Sequence, residues 1–235
     1  MAKILNIETS TSVCSVALSV DGEVVNIQES FTKNSHAELI TMFSQKVVAG
    51  AGLKFSNLDA VSVSKGPGSY TGLRIGVSTA KGFCFGLNIP LISIGTLAAM
   101  ATGMRKKSNS LAESNNTLFC PMIDARRMEV YTALFSNNMD EVKQTTAKII
   151  DKESFSDQLS SYKIIFGGDG AAKCKDMLDY QSNAIFMADF HPSAAYLSTI
   201  VEQKFRDKEY EDTAYFEPYY LKDFVAGIPR VKGLR

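Results

Sequence analysis

The feature that most constrains this chain is an order of predicted elements that occurs twice. Apolar, β-rich runs mark strands at 3–8 (KILNIE), 13–20 (VCSVALSV) and 23–29 (EVVNIQE), with Asp21-Gly22 between the last two. An Asp-Gly pair between two such runs is a strong hairpin signal, because these residues tolerate the positive φ of a tight turn. A helix follows. Ser35-His36-Ala37-Glu38 has the S-x-x-E form of a capping box, and Leu39, Ile40, Phe43, Val47 and Val48 recur at helical spacing before Gly50. A strand at 59–65, a helix to about Gly86, a strand at 90–94 and a short helix from Thr96 complete the first series. The polar stretch 105–116 (RKKSNSLAESNN) reads as a loop or linker. The order then starts again: strands at 118–123, 128–135 and about 145–150, a helix over 152–161, a strand at 163–167, a helix near 171–180, a strand at 184–188 and a long helix over 193–205.

Three strands joined by short turns, followed by strands that need helical crossovers, give a mixed sheet with helices packed on it. Twice over, this predicts an α/β protein of two mixed-sheet halves, 1–104 and 105–235, with the tail free to return to the first half. Such a duplication points to the actin-like architecture shared by sugar kinases and heat-shock chaperones (ASKHA, ribonuclease H-like), where nucleotide, when bound, sits between the halves.

Composition narrows the function classes. Lys+Arg and Asp+Glu both number 25, so bulk positive charge is not the means of contact with a nucleic acid. The four cysteines form no CxxC pair and there are only two histidines, so a Cys/His zinc site is not expected. Free, buried thiols in a reducing, cytoplasmic setting are the reading. The start MAKILNIETST lacks the form of a secretory signal. Residues 82–104 carry no charge and are long enough to span a bilayer, but Gly86, Asn88 and Pro90 interrupt the run, and no membrane span is expected.

The stretch KGPGSYTGLRIG (65–76) places a sharp turn after a strand and a cap, Ser69 or Thr71, before a helix. A helix N-terminus suits an anion, yet no Gly-Lys-Ser/Thr follows as a Walker loop requires. Glu8, Thr9 and Ser10, ending the first strand, together with Gly68 and Ser69, are the candidate nucleotide or phosphate contacts. Against them, the Glu8-Thr9-Ser10 turn has no glycine to let a phosphate approach the backbone. Along the helix, Gly72, Gly76, Ala80 and Cys84 fall four apart and share one face. Each internal glycine costs about 1 kcal/mol relative to alanine. Close approach by another element is therefore expected, either within the chain's own domain or from a partner. Asp124, Arg126 and Arg127 sit at a turn between two strands, as a phosphate or carboxylate site or as a solvated hairpin tip. FGGDG (166–170) lies at a strand–helix turn where the superfamily touches adenosine. His36 has Leu39 and Ile40 where a second helical histidine would stand, so no metal, and no cofactor, is expected. Neither G-x-S-x-G nor a Cys–His signature is present.

GPGSYTGLRIG, with ILNIETST, DARRMEVY and EPYYL (217–221), resembles the TsaB family, also called YeaZ. The resemblance implies an accessory subunit in forming threonylcarbamoyladenosine in tRNA next to the anticodon. TsaB proteins are similar to TsaD, the metalloenzyme that transfers threonylcarbamoyl from an adenylate made by TsaC, but are non-catalytic. It further implies a TsaD heterodimer through the N-terminal half, TsaE in the larger assembly, a homodimer when alone, and tRNA reached through the complex. TsaD carries H-x-x-x-H on its first helix, and here the two positions are His36 and Ile40. The resemblance places Gly72, Leu73, Gly76, Val77 and Ala80 at the partner interface, with Leu39 and Phe43 from the first helix. Two other readings remain: an ATP-dependent phosphotransferase, supported by Glu8, the glycine turn and FGGDG, and a peptidase, from an older association of the TsaD family with glycoprotein cleavage.

Overall fold

The computed structural model describes residues 1–32, 35–108 and 116–222. Its first sheet contains β1 (Lys3–Glu8), β2 (Cys14–Val20), β3 (Glu23–Ser30), β4 (Ala60–Gly66) and β5 (Leu91–Gly95), in the order β3-β2-β1-β4-β5. The three leading strands pair antiparallel, and β4 and β5 add in parallel. The second sheet contains β6 (Thr117–Asp124), β7 (Glu129–Phe135), β8 (Glu141–Ile149), β9 (Lys163–Gly167) and β10 (Ala184–Met187), in the order β10-β9-β6-β7-β8 with the same pairing senses. The two sheets share one connectivity, as the repeated element order requires.

The helices are α1 (His36–Gly50), α2 (Tyr70–Leu87), α3 (Thr96–Lys107), α4 (Ser156–Leu159), α5 (Asp169–Leu178) and α6 (Ser198–Arg206). Ile40, Phe43 and Val47 of α1 and Val77, Ala80 and Cys84 of α2 pack with Leu5, Ile7, Val16 and Leu18 of the first sheet. Val201 of α6, with Leu197 just before it, packs with Ile4, Ile92 and Ile94 of that sheet in a separate cluster. Ala171, Cys174 and Leu178 of α5 meet Leu118, Cys120 and Ile164 of the second sheet. Leu97, Met100 and Met104 of α3 pack with Phe119, Ile123 and Ile165 of the second sheet, while Ala99 joins the cluster on the first. Thus α3 comes from the first series and packs between the two sheets, whereas α6 comes from the second series and packs on the first sheet.

Several local expectations change. Ser35 precedes α1, but its hydroxyl donates to the Thr32 carbonyl at 2.7 Å and makes no cap, so the capping box does not form. The helix expected over 152–161 contracts to α4, because Ser154 Oγ donates to Asp151 Oδ1 at 2.7 Å and the pair holds a local turn in place of a first helical turn. The long helix over 193–205 is divided into a 3-10 turn at Ala194–Tyr196, capped by Ser193, and α6. Arg105, Lys106 and Lys107 belong to the last turn of α3, where cations suit the helix dipole. The rest of that polar stretch, 109–115, lies outside the described residues. The uncharged run 82–104 divides into the end of α2, a turn at Asn88 (φ 53°), β5 and α3, and no helix among the described residues is long and apolar enough to cross a membrane. All four cysteines are free and buried.

Candidate functional site

The bare face of α2 is occupied by the chain itself. Thr9 Oγ1 donates to the Gly72 carbonyl at 2.8 Å. A Cβ on Gly72 would stand 2.1 Å from the Thr9 carbonyl oxygen, and one on Gly76 would stand 2.2 Å from Thr9 Oγ1. Leu73, Val77 and Phe43 are 1%, 3% and 7% exposed, and Ala80 is fully buried. Six of the seven residues expected at the interface are thus buried in the single chain. The turn after β1 closes off Gly72 and Gly76; Phe43, Val77 and Ala80 pack in the core on the first sheet, and with the buried Leu73 they form no free surface on the folded chain. Leu39 is half-buried at the edge of the same core.

The same turn fills the expected phosphate cradle. Ser69 N donates to the Ser10 carbonyl at 2.6 Å, and a Cβ on Gly68 would stand 2.4 Å from that oxygen. Ser69 Oγ caps α2 by accepting from Gly72 N at 3.2 Å. Glu8 is fully buried, and its Oε1 accepts from Ser10 N at 2.6 Å. Burial pushes its carboxyl above the ordinary range, against the opposing hydrogen bond from the Ser10 amide. Glu8 Oε2, Ser10 Oγ and Ser64 Oγ make no hydrogen bond among the described residues. Of the candidate contacts, Ser10, Gly68 and Ser69 reach the cleft between the two sheets, and Glu8 and Thr9 lie beneath it.

That cleft, of about 980 Å³, has the α2 start and Ser10–Ser12 on one side and the β6–β7 turn on the other. Its acids are already engaged. Asp124 pairs with Lys173 at 2.5 Å, Glu129 pairs with Lys222, and Asp169 accepts from the backbone of Asp124 and Gly170. Arg126 and Arg127 form no ion pair among the described residues, and both have positive φ (73° and 51°), a conformation that costs of order 1–3 kcal/mol for such residues. The FGGDG glycines have internal reasons: a Cβ on Gly168 would stand 2.1 Å from the Met122 carbonyl, and one on Gly170 2.9 Å from Val130. His36 Nε2 lies 3.2 Å from the Val13 carbonyl, and Ile40 one turn on is core. His191 stands edge-on to Phe31. Among the described residues neither histidine hydrogen-bonds a serine or cysteine side chain, and no group of three or more metal-ligating side chains converges.

The outward face of the helix pair is the surface that sequence reasoning missed. Thr41 and Met42 of α1 and Arg74, Ser78, Gly82 and Phe85 of α2 are exposed. A groove of about 330 Å³ runs between the helices beside Thr41, Arg74, Ile75 and Ser78. Phe85 is 87% exposed. A Cβ on Gly82 or Gly86 would meet nothing within 4 Å among the described residues. Unlike Gly72 and Gly76, these helix glycines have no explanation among the described residues. A signal was present: Ser78, Gly82 and Gly86 are a second row of small residues four apart.

A family model described as TsaD, tRNA N6-adenosine threonylcarbamoyltransferase, matches residues 23–230. The tRNA threonylcarbamoyladenosine biosynthesis protein TsaB of Escherichia coli (strain K12) is 29% identical over 231 residues, covering 95% of this chain and 96% of that protein. The solved structure of YeaZ from Pseudomonas aeruginosa superposes with a TM-score of 0.81 at 23% identity, over 94% of this chain and all of that one. The activator of the 2-hydroxyisocaproyl-CoA dehydratase from Clostridium difficile, solved with bound ADPNP, gives a TM-score of 0.50 at 9% identity, over 89% of this chain and 98% of that one. The fold is therefore the duplicated actin-like one.

Proposed function

The chain belongs to the TsaD family and stands within it beside the proteins named TsaB, and from that premise we propose that it is an accessory subunit of tRNA threonylcarbamoyladenosine formation. It docks on a TsaD-type transferase and favours that enzyme's competent state, in the cytoplasm, with a TsaE-type ATPase joining the assembly and tRNA reached through it. It makes and breaks no bonds itself. Such activation requires tighter binding to the competent state than to the others. The observation that carries this reading is the outward α1–α2 face, where Gly82 and Gly86 are open and Phe85 is bare. Two glycines inside a helix cost about 2 kcal/mol together, and an approaching helix is the compensation that their empty surroundings leave available. The same face would serve a second copy when no transferase is present.

The rival reading, ATP-dependent phosphotransfer, needs a backbone cradle open to phosphate. Here Thr9 and Ser10 occupy that position, and the Ser69 amide is already committed to Ser10.

Reconstitution tests the proposal. TsaD, TsaC and TsaE should modify tRNA poorly without this chain and well with it. Equal modification in its absence would refute the accessory role, and tight magnesium-nucleotide binding by the isolated chain would favour the phosphotransferase.

A further inference from the structure

After α6 the chain leaves regular structure and crosses the molecule as a strap. Glu211 N donates to the Leu91 carbonyl at 2.8 Å and so caps the free edge of β5. Lys81 Nζ of α2 holds the carbonyls of Ala214 and Phe216 at 3.0 and 3.1 Å. Tyr219 N donates to the Lys65 carbonyl at 2.7 Å, and the Tyr219 carbonyl lies so close to Gly66 (φ 115°) that a Cβ there would stand 2.6 Å from it. The Tyr220 ring packs 4.8 Å from Tyr70, and its hydroxyl accepts from Arg74 Nε at 3.1 Å. The strap then reaches the second sheet, where Lys222 pairs with Glu129 and lies 5.9 Å over the Tyr131 ring. Tyr219, Tyr220 and Lys222 thereby form one wall of the cleft.

Arg74 belongs to two places at once. It holds Tyr220 at the cleft, and it also lines the groove between α1 and α2. We propose that Tyr219–Lys222 is a latch across the cleft, and that Arg74 links this latch to a TsaD-type partner docked on the α1–α2 groove. The proposal rests on the docking surface inferred above. The physical link is competition for one guanidinium. At the cleft Arg74 has the face of the Tyr70 ring, 4.3 Å from its guanidinium, and the neutral Tyr220 hydroxyl, whereas a carboxylate on a docking helix offers a charged acceptor of bidentate geometry, which arginine prefers. A partner that presents such a carboxylate draws Arg74 toward the groove and leaves Tyr220 held by its ring contact with Tyr70 alone. The rest of the latch is then the Tyr219–Lys65 hydrogen bond and the Lys222–Glu129 pair, a partly exposed ion pair of the kind that holds weakly by itself. The cleft then opens on the side where Arg126 and Arg127 stand.

Hydrogen exchange of the full chain, alone and with saturating TsaD-type partner, tests this. The reporter is the peptide containing Tyr219, whose amide is bonded to Lys65. Partner binding should slow exchange in the exposed parts of α1 and α2 and speed exchange at Tyr219 by tenfold or more. Arg74→Ala, at an exposed position, should speed Tyr219 exchange to a similar degree with no partner present. Slowed helices with an unchanged Tyr219 peptide, or an unchanged peptide in Arg74→Ala, would overturn the latch and leave the docking surface standing. Helices that do not slow at all would overturn the docking surface, and the latch with it.

Discussion

Thr9 and Gly72 lock together across the start of α2: the threonine hydroxyl donates to the glycine carbonyl at 2.8 Å, and the threonine carbonyl occupies the space where a Cβ on Gly72 would lie. This contact joins the turn after β1 to the helix that follows β4, two segments that meet only in the folded chain. It also explains why the helix accepts glycine at that point. A side chain at position 72 would force the helix off the turn.

Gly72→Ala should therefore destabilise the chain despite alanine's better helix propensity. A Cβ would meet a backbone oxygen at 2.1 Å, which a rotamer change cannot relieve. The expected loss is about 2–3 kcal/mol, seen as a fall in Tm of roughly 5–10 °C. Thermal unfolding that leaves Tm unchanged would contradict this account of the bare face.

The second row of small residues should behave in the opposite way. Gly82→Ala places a methyl group in open space and should raise monomer stability by up to about 1 kcal/mol. Phe85→Arg should leave the fold intact and abolish co-elution with the docking partner. Retained co-elution in Phe85→Arg would move the docking surface elsewhere.

Glu8 gives a dependence on pH. Burial holds its folded-state pKa above the ordinary carboxylate value, so the folded chain binds this proton more tightly than the unfolded chain. Its contribution to stability is fully present at low pH, where both states are protonated. It is lost as pH rises from the ordinary carboxylate range through the raised folded value. Glu8→Gln keeps an acceptor for Ser10 N and adds a neutral donor where Oε2 has no partner. The variant should exceed the parent in stability at pH 8 by about 1–3 kcal/mol, with the gap closing toward pH 4. A gap that stays constant across that range would assign the effect to packing instead of ionisation.

The cysteines should be silent in the folded chain. Burial pushes the thiol of Cys14 up to about 11 and those of Cys84 and Cys120 up to about 12, and it raises that of Cys174 as well. At pH 8 the thiolate fraction is on the order of a thousandth or less at the first three. A chromogenic disulfide reagent should find no fast-reacting thiol in the native chain and four after unfolding. A fast native thiol would mean that one of these sites opens.

Sequence by itself determined the duplicated architecture, because strand and helix periodicities are local and their order is written along the chain. The Asp21-Gly22 hairpin, the Ser69 cap and the division of the 82–104 run all follow from residues near one another. The missing second histidine at Ile40 was equally legible. Tertiary structure decided which of two small-residue rows on α2 faces the core. Helical spacing shows that Gly72, Gly76 and Ala80 share a side, and that Ser78, Gly82 and Gly86 share another. It cannot show which side Thr9 will fill. It likewise could not foresee that α3 lies between the two sheets while α6 returns to the first, or that Tyr220 would meet Arg74. These contacts join residues far apart in the chain, and the competition for buried volume that selects them exists only once the sheets have packed.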